Sequence, residues 1–197
     1  MIQRIAVKVT EFIFKNDKLD SGLFEVYKYG VEITISTLLN VILIITASIL
    51  VSDLISGVVF LAVFISLRTF VGGYHAKTYF MCNALFLLTY LVVYYINSTA
   101  STLIDGELLS RILTVLILLG IIPIISFAPV KNPNKPLSEK HIRVSRTIGI
   151  VIFILLSIMG LALYYGNIRY GSFTIITLTS VSVLILIEII KTRRWKK

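Results

Sequence analysis

One cysteine, Cys82, leaves no partner for an intrachain disulfide, so its thiol can serve only as a packing residue, a metal ligand or a nucleophile. Charge is scarce as well. Only 15% of the 197 residues are charged while 57% are hydrophobic, and the mean hydropathy is +0.93. A soluble globular domain carries about 25% charged residues, so that class is excluded. Alternation of apolar and polar residues is missing, which excludes a membrane barrel. Internal repeats and low-complexity tracts are absent too. The first 30 residues are densely charged and lack an uninterrupted apolar core, so a cleavable signal peptide is not expected.

What is present is a series of continuous apolar runs. In hydrocarbon the backbone polar groups must be satisfied within the segment, so such runs are helices. The expected fold class is all-α: a polytopic membrane bundle forming one integral membrane domain over residues 1–197. Six spans are read at Val31–Val51, Leu54–Leu67, Tyr79–Ile96, Leu108–Ala128, Ser145–Tyr165 and Phe173–Ile190, with a turn at Ser52-Asp53. Ahead of them, residues 2–18 place Ile2, Ile5, Val9, Phe12 and Ile13 on one helical face and Arg4, Lys8, Glu11 and Lys15 on the other. Such a basic amphipathic helix lies in the membrane interface or packs on the rest of the protein, and a second copy packing there would make a homodimer. Tyr90, Tyr94 and Tyr95 are expected in an interfacial aromatic belt, and Asp53 and Glu188 near helix ends, within reach of the interface.

Cytoplasmic loops carry an excess of Lys and Arg. With both termini inside, all the basic residues except Arg111 and Arg169 fall on the cytoplasmic side, the last two beside Asp105 and Glu107. Five spans would strand one basic loop on the wrong side. The net charge of +9 is spread between apolar runs. It therefore reads as topology determinants and a contact for anionic lipid headgroups or an acidic partner, not for nucleic acid.

The least lipid-like stretch between spans is Arg68-Thr69-Phe70-Val71-Gly72-Gly73-Tyr74-His75-Ala76-Lys77, followed by Cys82 at the start of the third span. On one continuous helix His75 and Cys82 would be parted by about 10.5 Å along the axis, beyond the roughly 2.6–3.2 Å of a base–nucleophile hydrogen bond. The pair works only if the chain bends, and Gly72-Gly73 supplies the backbone freedom to do so. Cys82 would then sit about one turn into a helix starting near Thr78, where the dipole and free N–H groups favour a thiolate; Arg68 and Lys77 act in the same direction. Set against this, a lone cysteine at a helix start is often a small buried hydrophobe, and a histidine at a membrane edge often merely interfacial. A metal held by His75, Cys82 and His141, with Glu139, would lack the paired, closely spaced ligands of a structural zinc, so no metal is expected.

The second polar landmark is Ala128-Pro129-Val130-Lys131-Asn132-Pro133-Asn134-Lys135-Pro136-Leu137, whose prolines prevent a helix. It reads equally as a dock for an acidic peptide through Lys131 and Lys135 or as a span connector held inside by its charge. The rival functional class is a small transporter or a non-catalytic membrane subunit. A transporter would place ionisable groups or broken helices near mid-bilayer, whereas here the charges cluster at span ends.

The two motifs together resemble the accessory gene regulator protein B (AgrB) family: Arg68, Gly72-Gly73-Tyr74-His75-Ala76 and Cys82, then Ala128-Pro129 and Pro133-Asn134-Lys135-Pro136. The likeness runs over nearly the whole chain, with no departure at His75 or Cys82. It implies a membrane cysteine endopeptidase of quorum-sensing peptide processing, with Cys82 as nucleophile and His75 as general base, and no cofactor. It also implies a substrate: a short AgrD-like precursor with an amphipathic leader, a central cysteine or serine and an acidic tail. Arg68, Lys77, Lys131 and Lys135 are the basic residues placed to bind it, with Gly72 and Gly73 as the hinge.

Overall fold

The computed structural model describes residues 2–16, 21–73, 78–130 and 138–194. It is an all-helical bundle: α1 Ile2–Asn16, α2 Phe24–Leu50, α3 Leu54–Val71, α4 Tyr79–Leu103, α5 Gly106–Phe127, α6 Glu139–Tyr165 and α7 Tyr170–Arg194, with one 3₁₀ turn at Ser21–Leu23. The last six helices are each long and apolar enough to cross a membrane. The shortest, α3, has 18 residues, a rise of about 27 Å and so close to the thickness of a bilayer core. Large apolar side chains such as Leu38, Ile42, Leu88, Leu118 and Leu155 face outward, as expected where the surroundings are lipid.

Several helices outrun the apolar segments that predict them, because hydropathy alone does not set where a helix starts or stops. Helix α2 begins at Phe24 instead of Val31, its first turns carrying a Glu25–Lys28 pair at 3.0 Å. Helix α6 begins at Glu139 instead of Ser145, because the Ser138 hydroxyl accepts from the His141 amide. Helix α3 continues to Val71, where Gly72 at φ +73° ends it and donates its amide to the Arg68 carbonyl.

Helix α7 occupies the centre, touching α3, α4, α5 and α6. It is half buried, more than any other span. Its serines and threonines suit that place: they are small enough for close approach, and several return their hydroxyls to carbonyls of the preceding turn, among them Thr174 and Thr177. Beside it, Phe60 and Phe64 of α3 interlock with Phe86 and Tyr90 of α4 at ring separations of 4.9–5.4 Å.

Helix α1 lies on α2, but not through the face the sequence suggests. Ala6 and Thr10 are buried, and Phe14 meets Phe24 and Tyr27 edge-on at 5.3 and 5.5 Å. Ile5, Val9 and Phe12 stay exposed, Phe12 by 67%. The small residues let α1 approach α2 closely, leaving the larger apolar stripe outside.

At the end of the bundle formed by the turns 51–53, 104–105 and 166–169, several expectations are corrected. Tyr90 does not join an interfacial belt: it is fully buried, its hydroxyl 2.8 Å from Ser56 Oγ. Tyr94 is partly buried and points its hydroxyl at the Val51 carbonyl, and only Tyr95, 73% exposed, suits a belt. Asp53 lies at a helix end as expected, as the N-cap of α3, but it is held by partners within the fold. Its carboxylate is 5% exposed and takes hydrogen bonds from Arg169, Tyr170 and the Ser56 amide. Arg169 therefore pairs across the fold and not with Asp105 or Glu107; Glu107 is held by Arg111.

Candidate active site

At the opposite end, the chain around Cys82 is built by two caps and a close approach. Thr78 is extended, and its hydroxyl accepts from the Met81 amide at 3.2 Å, which starts α4. Cys82 lies at the close of that first turn, its amide bonded to the Thr78 carbonyl at 3.0 Å and its side chain partly buried. The thiol is thus at the positive end of the α4 dipole.

Arg68 comes from the last turn of α3. Its guanidinium lies over the Phe64 ring at 5.4 Å, within electrostatic reach of the Cys82 thiol. Its Nε lies 3.9 Å from where a side chain on Gly73 would begin, an ordinary contact distance. Gly73 itself has φ +154°, and Gly72 has φ +73° with Val130 3.2–3.3 Å from its missing Cβ. Both positions need glycine for their backbone, and Gly72 for space as well.

The proline-containing connector begins against this hinge. Val130 donates its amide to the Val71 carbonyl at 3.0 Å, and Arg146 of α6 donates to the Ala128 carbonyl at 2.6 Å. Gly149 lets α6 close on Val71, where a Cβ would come within 2.5 Å of the valine side chain. Two segments far apart in sequence, 68–73 and 128–130, therefore meet at one end of the bundle.

Of the residues singled out from the sequence, Cys82, Arg68, Gly72 and Gly73 are brought together. His75, Lys77, Lys131 and Lys135 lie outside the described residues. His141 is bonded through Nδ1 to Ser138 Oγ at 2.7 Å. Among the described residues no group of His, Cys, Asp and Glu could hold a metal ion.

Two features escape the sequence reading. Glu32 is buried, and its carboxylate accepts from the Tyr79 hydroxyl at 2.5 Å; one turn on, Ser36 donates to Asn83 Oδ1 at 2.8 Å. The Tyr79 hydroxyl in turn lies within electrostatic reach of Cys82. Glu32 carried a legible signal, since it is an acidic residue inside the first predicted span, where a charge is costly. Its partner did not.

The family model for accessory gene regulator B matches residues 6–190. A putative AgrB-like protein of Clostridium perfringens (strain SM101 / Type A) is 24% identical over 171 residues, covering 84% of this chain and 80% of that protein. A putative AgrB-like protein 2 of Clostridium perfringens (strain 13 / Type A) is 23% identical over 172 residues, covering 85% and 80%. The accessory gene regulator protein B of Staphylococcus aureus (strain N315) is 22% identical over 153 residues, covering 78% and 79%. No solved structure is significantly similar. Matched along almost its full length, the chain belongs to the accessory gene regulator B family.

Proposed function

We propose that this protein is a membrane cysteine endopeptidase that removes the C-terminal tail of an AgrD-like peptide precursor and helps close the remaining segment into a ring. The observation that carries the reading is the place of Cys82 in the first turn of α4, with the Arg68 guanidinium within electrostatic reach of its thiol. A cation near a thiol at a helix N-terminus is the setting in which a cysteine acts as a nucleophile. Family membership and the resemblance of the His75 motif add to it.

In the proposed sequence the Cys82 thiolate attacks the carbonyl carbon of the peptide bond between the signal segment and the tail. The C–N bond breaks as His75 gives its proton to the departing amine, leaving an acyl-thioester on Cys82. A thiol or hydroxyl of the precursor then attacks that carbonyl. It surrenders its proton to His75, and the C–S bond to Cys82 breaks, freeing the thiolactone or lactone and restoring the thiolate. Exchange of one thioester for another is near balance, whereas amide to thioester is uphill, so departure of the tail draws the reaction forward. Arg68 stabilises the sulfur anion at both ends of the cycle. Lys77, Lys131 and Lys135 hold the acidic tail, and the start of the 128–137 connector against the Gly72 hinge supports that role.

The distribution of basic residues supports a multi-pass protein of the cell membrane with both termini and the site on the cytoplasmic side. The test is co-expression with the candidate precursor, reading product mass. Wild type should yield the tail-less, cyclised peptide, and Cys82→Ala and His75→Ala none. Normal product from either variant would dismiss the assignment.

A further inference from the structure

Helix α4 presents polar side chains down its inner face, each bonded to another helix. Tyr79 meets Glu32 and Asn83 meets Ser36, both on α2; Tyr90 meets Ser56 on α3, and Asn97 meets Ser172 on α7. Among these four rungs only the first carries a charge. It is also the shortest, at 2.5 Å against 2.8 Å for the other three, as charge-assisted hydrogen bonds are.

The charge sits where a neutral residue would cost less. Burying a carboxylate is expensive unless it gains something in return, and the fold already joins α4 to its neighbours by neutral rungs elsewhere. The position of the charged rung is informative: Tyr79 and Asn83 bracket Cys82 within a single turn of α4. Their partners, Glu32 and Ser36, are likewise one turn apart on α2. One hydrogen bond fixes a point on a helix. Two, a turn apart on the same face, fix both its axial shift and its rotation. Cys82 lies to the side of that face, within electrostatic reach of Arg68 of α3.

We propose that Glu32, with Ser36 in support, is a positioning residue that sets the rotation and depth of the first turn of α4 and so aims the Cys82 thiol toward the end of α3 that carries Arg68. The inference rests on Cys82 being the nucleophile of the proposed reaction, and it names what aims that nucleophile. When either rung is lost, the first turn is free to rotate. The thiol then turns away from that end of α3, and its reactivity falls although the helix persists.

The chain has a single cysteine, so alkylation by iodoacetamide reports on Cys82 alone. The measurement uses the full-length protein in detergent, on the monodisperse fraction at neutral pH. Glu32→Ala and Tyr79→Phe should each slow alkylation about fivefold, the effect of one lost hydrogen bond. The double variant should be no slower than either single one, because they remove the same contact. Glu32→Gln, which still accepts from Tyr79, should return to within about twofold of wild type. Ser36→Ala should slow alkylation less than Glu32→Ala. Ser172→Ala removes a rung at the far end of the same helix and should leave the rate unchanged.

A Glu32→Ala protein that alkylates at the wild-type rate or faster would overturn the proposal. So would a Glu32→Gln protein as slow as Glu32→Ala, or a Ser172→Ala protein equally slowed. Alkylation needs no peptide, so the two readings fail separately. Precursor left uncut, with slow alkylation rescued by Gln, removes the endopeptidase and keeps the positioning role; cleavage with unchanged alkylation does the reverse.

Discussion

The two ends of the bundle are built on different plans. At the Asp53 end the connectors are short, spanning 51–53, 104–105 and 166–169, and side chains tie each of them across the fold. Asp53 receives Arg169 and Tyr170, Tyr94 reaches the Val51 carbonyl, and Tyr164 reaches the Gly106 carbonyl. At the Cys82 end the connectors 72–78 and 128–138 are longer, and among their described residues the Val130 amide bonds to the Val71 carbonyl and the Arg146 side chain to the Ala128 carbonyl. Side chains close the first end, and the proposed nucleophile lies at the other. Each end also holds one buried carboxylate: Asp53 ties two hairpins together, and Glu32 ties α2 to the first turn of α4.

This contrast can be broken at either end, and the largest effect is expected at the hinge. Gly72→Val places a branched side chain at φ +73° and into Val130. It should reduce precursor processing by about 100-fold or more, the consequence of roughly 3 kcal/mol of strain at one backbone position, while the helical content by circular dichroism is kept. Processing within a few-fold of wild type would show that the bend is dispensable. At the other end, Asp53→Ala removes the cap of α3 and two side-chain hydrogen bonds. It should cost about 2 kcal/mol of stability, read as a lowered melting temperature in detergent, with Cys82 alkylation unaltered. A change in alkylation instead would mean that the ends are coupled.

Arg68→Gln should slow Cys82 alkylation about tenfold, in keeping with the loss of a cation near the thiol, with no change in melting temperature. A large fall in stability with unaltered thiol reactivity would make Arg68 a structural residue like Asp53. The smallest effect is expected from exchanging both Lys131 and Lys135 for Glu. This should raise the KM for precursor about fivefold with kcat retained, and the defect should shrink in high salt as exposed charges are screened.

Much of this was legible. The six spans, the turn at Ser52-Asp53 and the break at Gly72-Gly73 are each dictated by local rules: apolar length, a capping aspartate, a residue free to adopt positive φ. Helix ends were less so, because Ser138 and Asp105 cap helices that begin outside or at the edge of the apolar runs. The burial of Tyr90 and of the Ala6–Thr10 face was not legible, since hydropathy does not say which neighbour a side chain will meet. The same holds for Glu32: its place inside a span marks it as unusual, but only packing supplies Tyr79.

By itself the sequence determined that the chain is a helical membrane protein of the accessory gene regulator B family, and which cysteine, arginine and glycines gather near one loop. Hydrophobic length and fixed-spacing motifs are properties of adjacent residues, so they can be read in one dimension. Only the tertiary structure decided that α7 is the central helix, that Val130 closes on Val71, and that Glu32 and Ser36 of α2 grip the turn that carries Cys82. Those pairings join residues up to several helices apart, and they depend on the rotation of each helix about its own axis, which hydropathy leaves free and interhelical contact fixes.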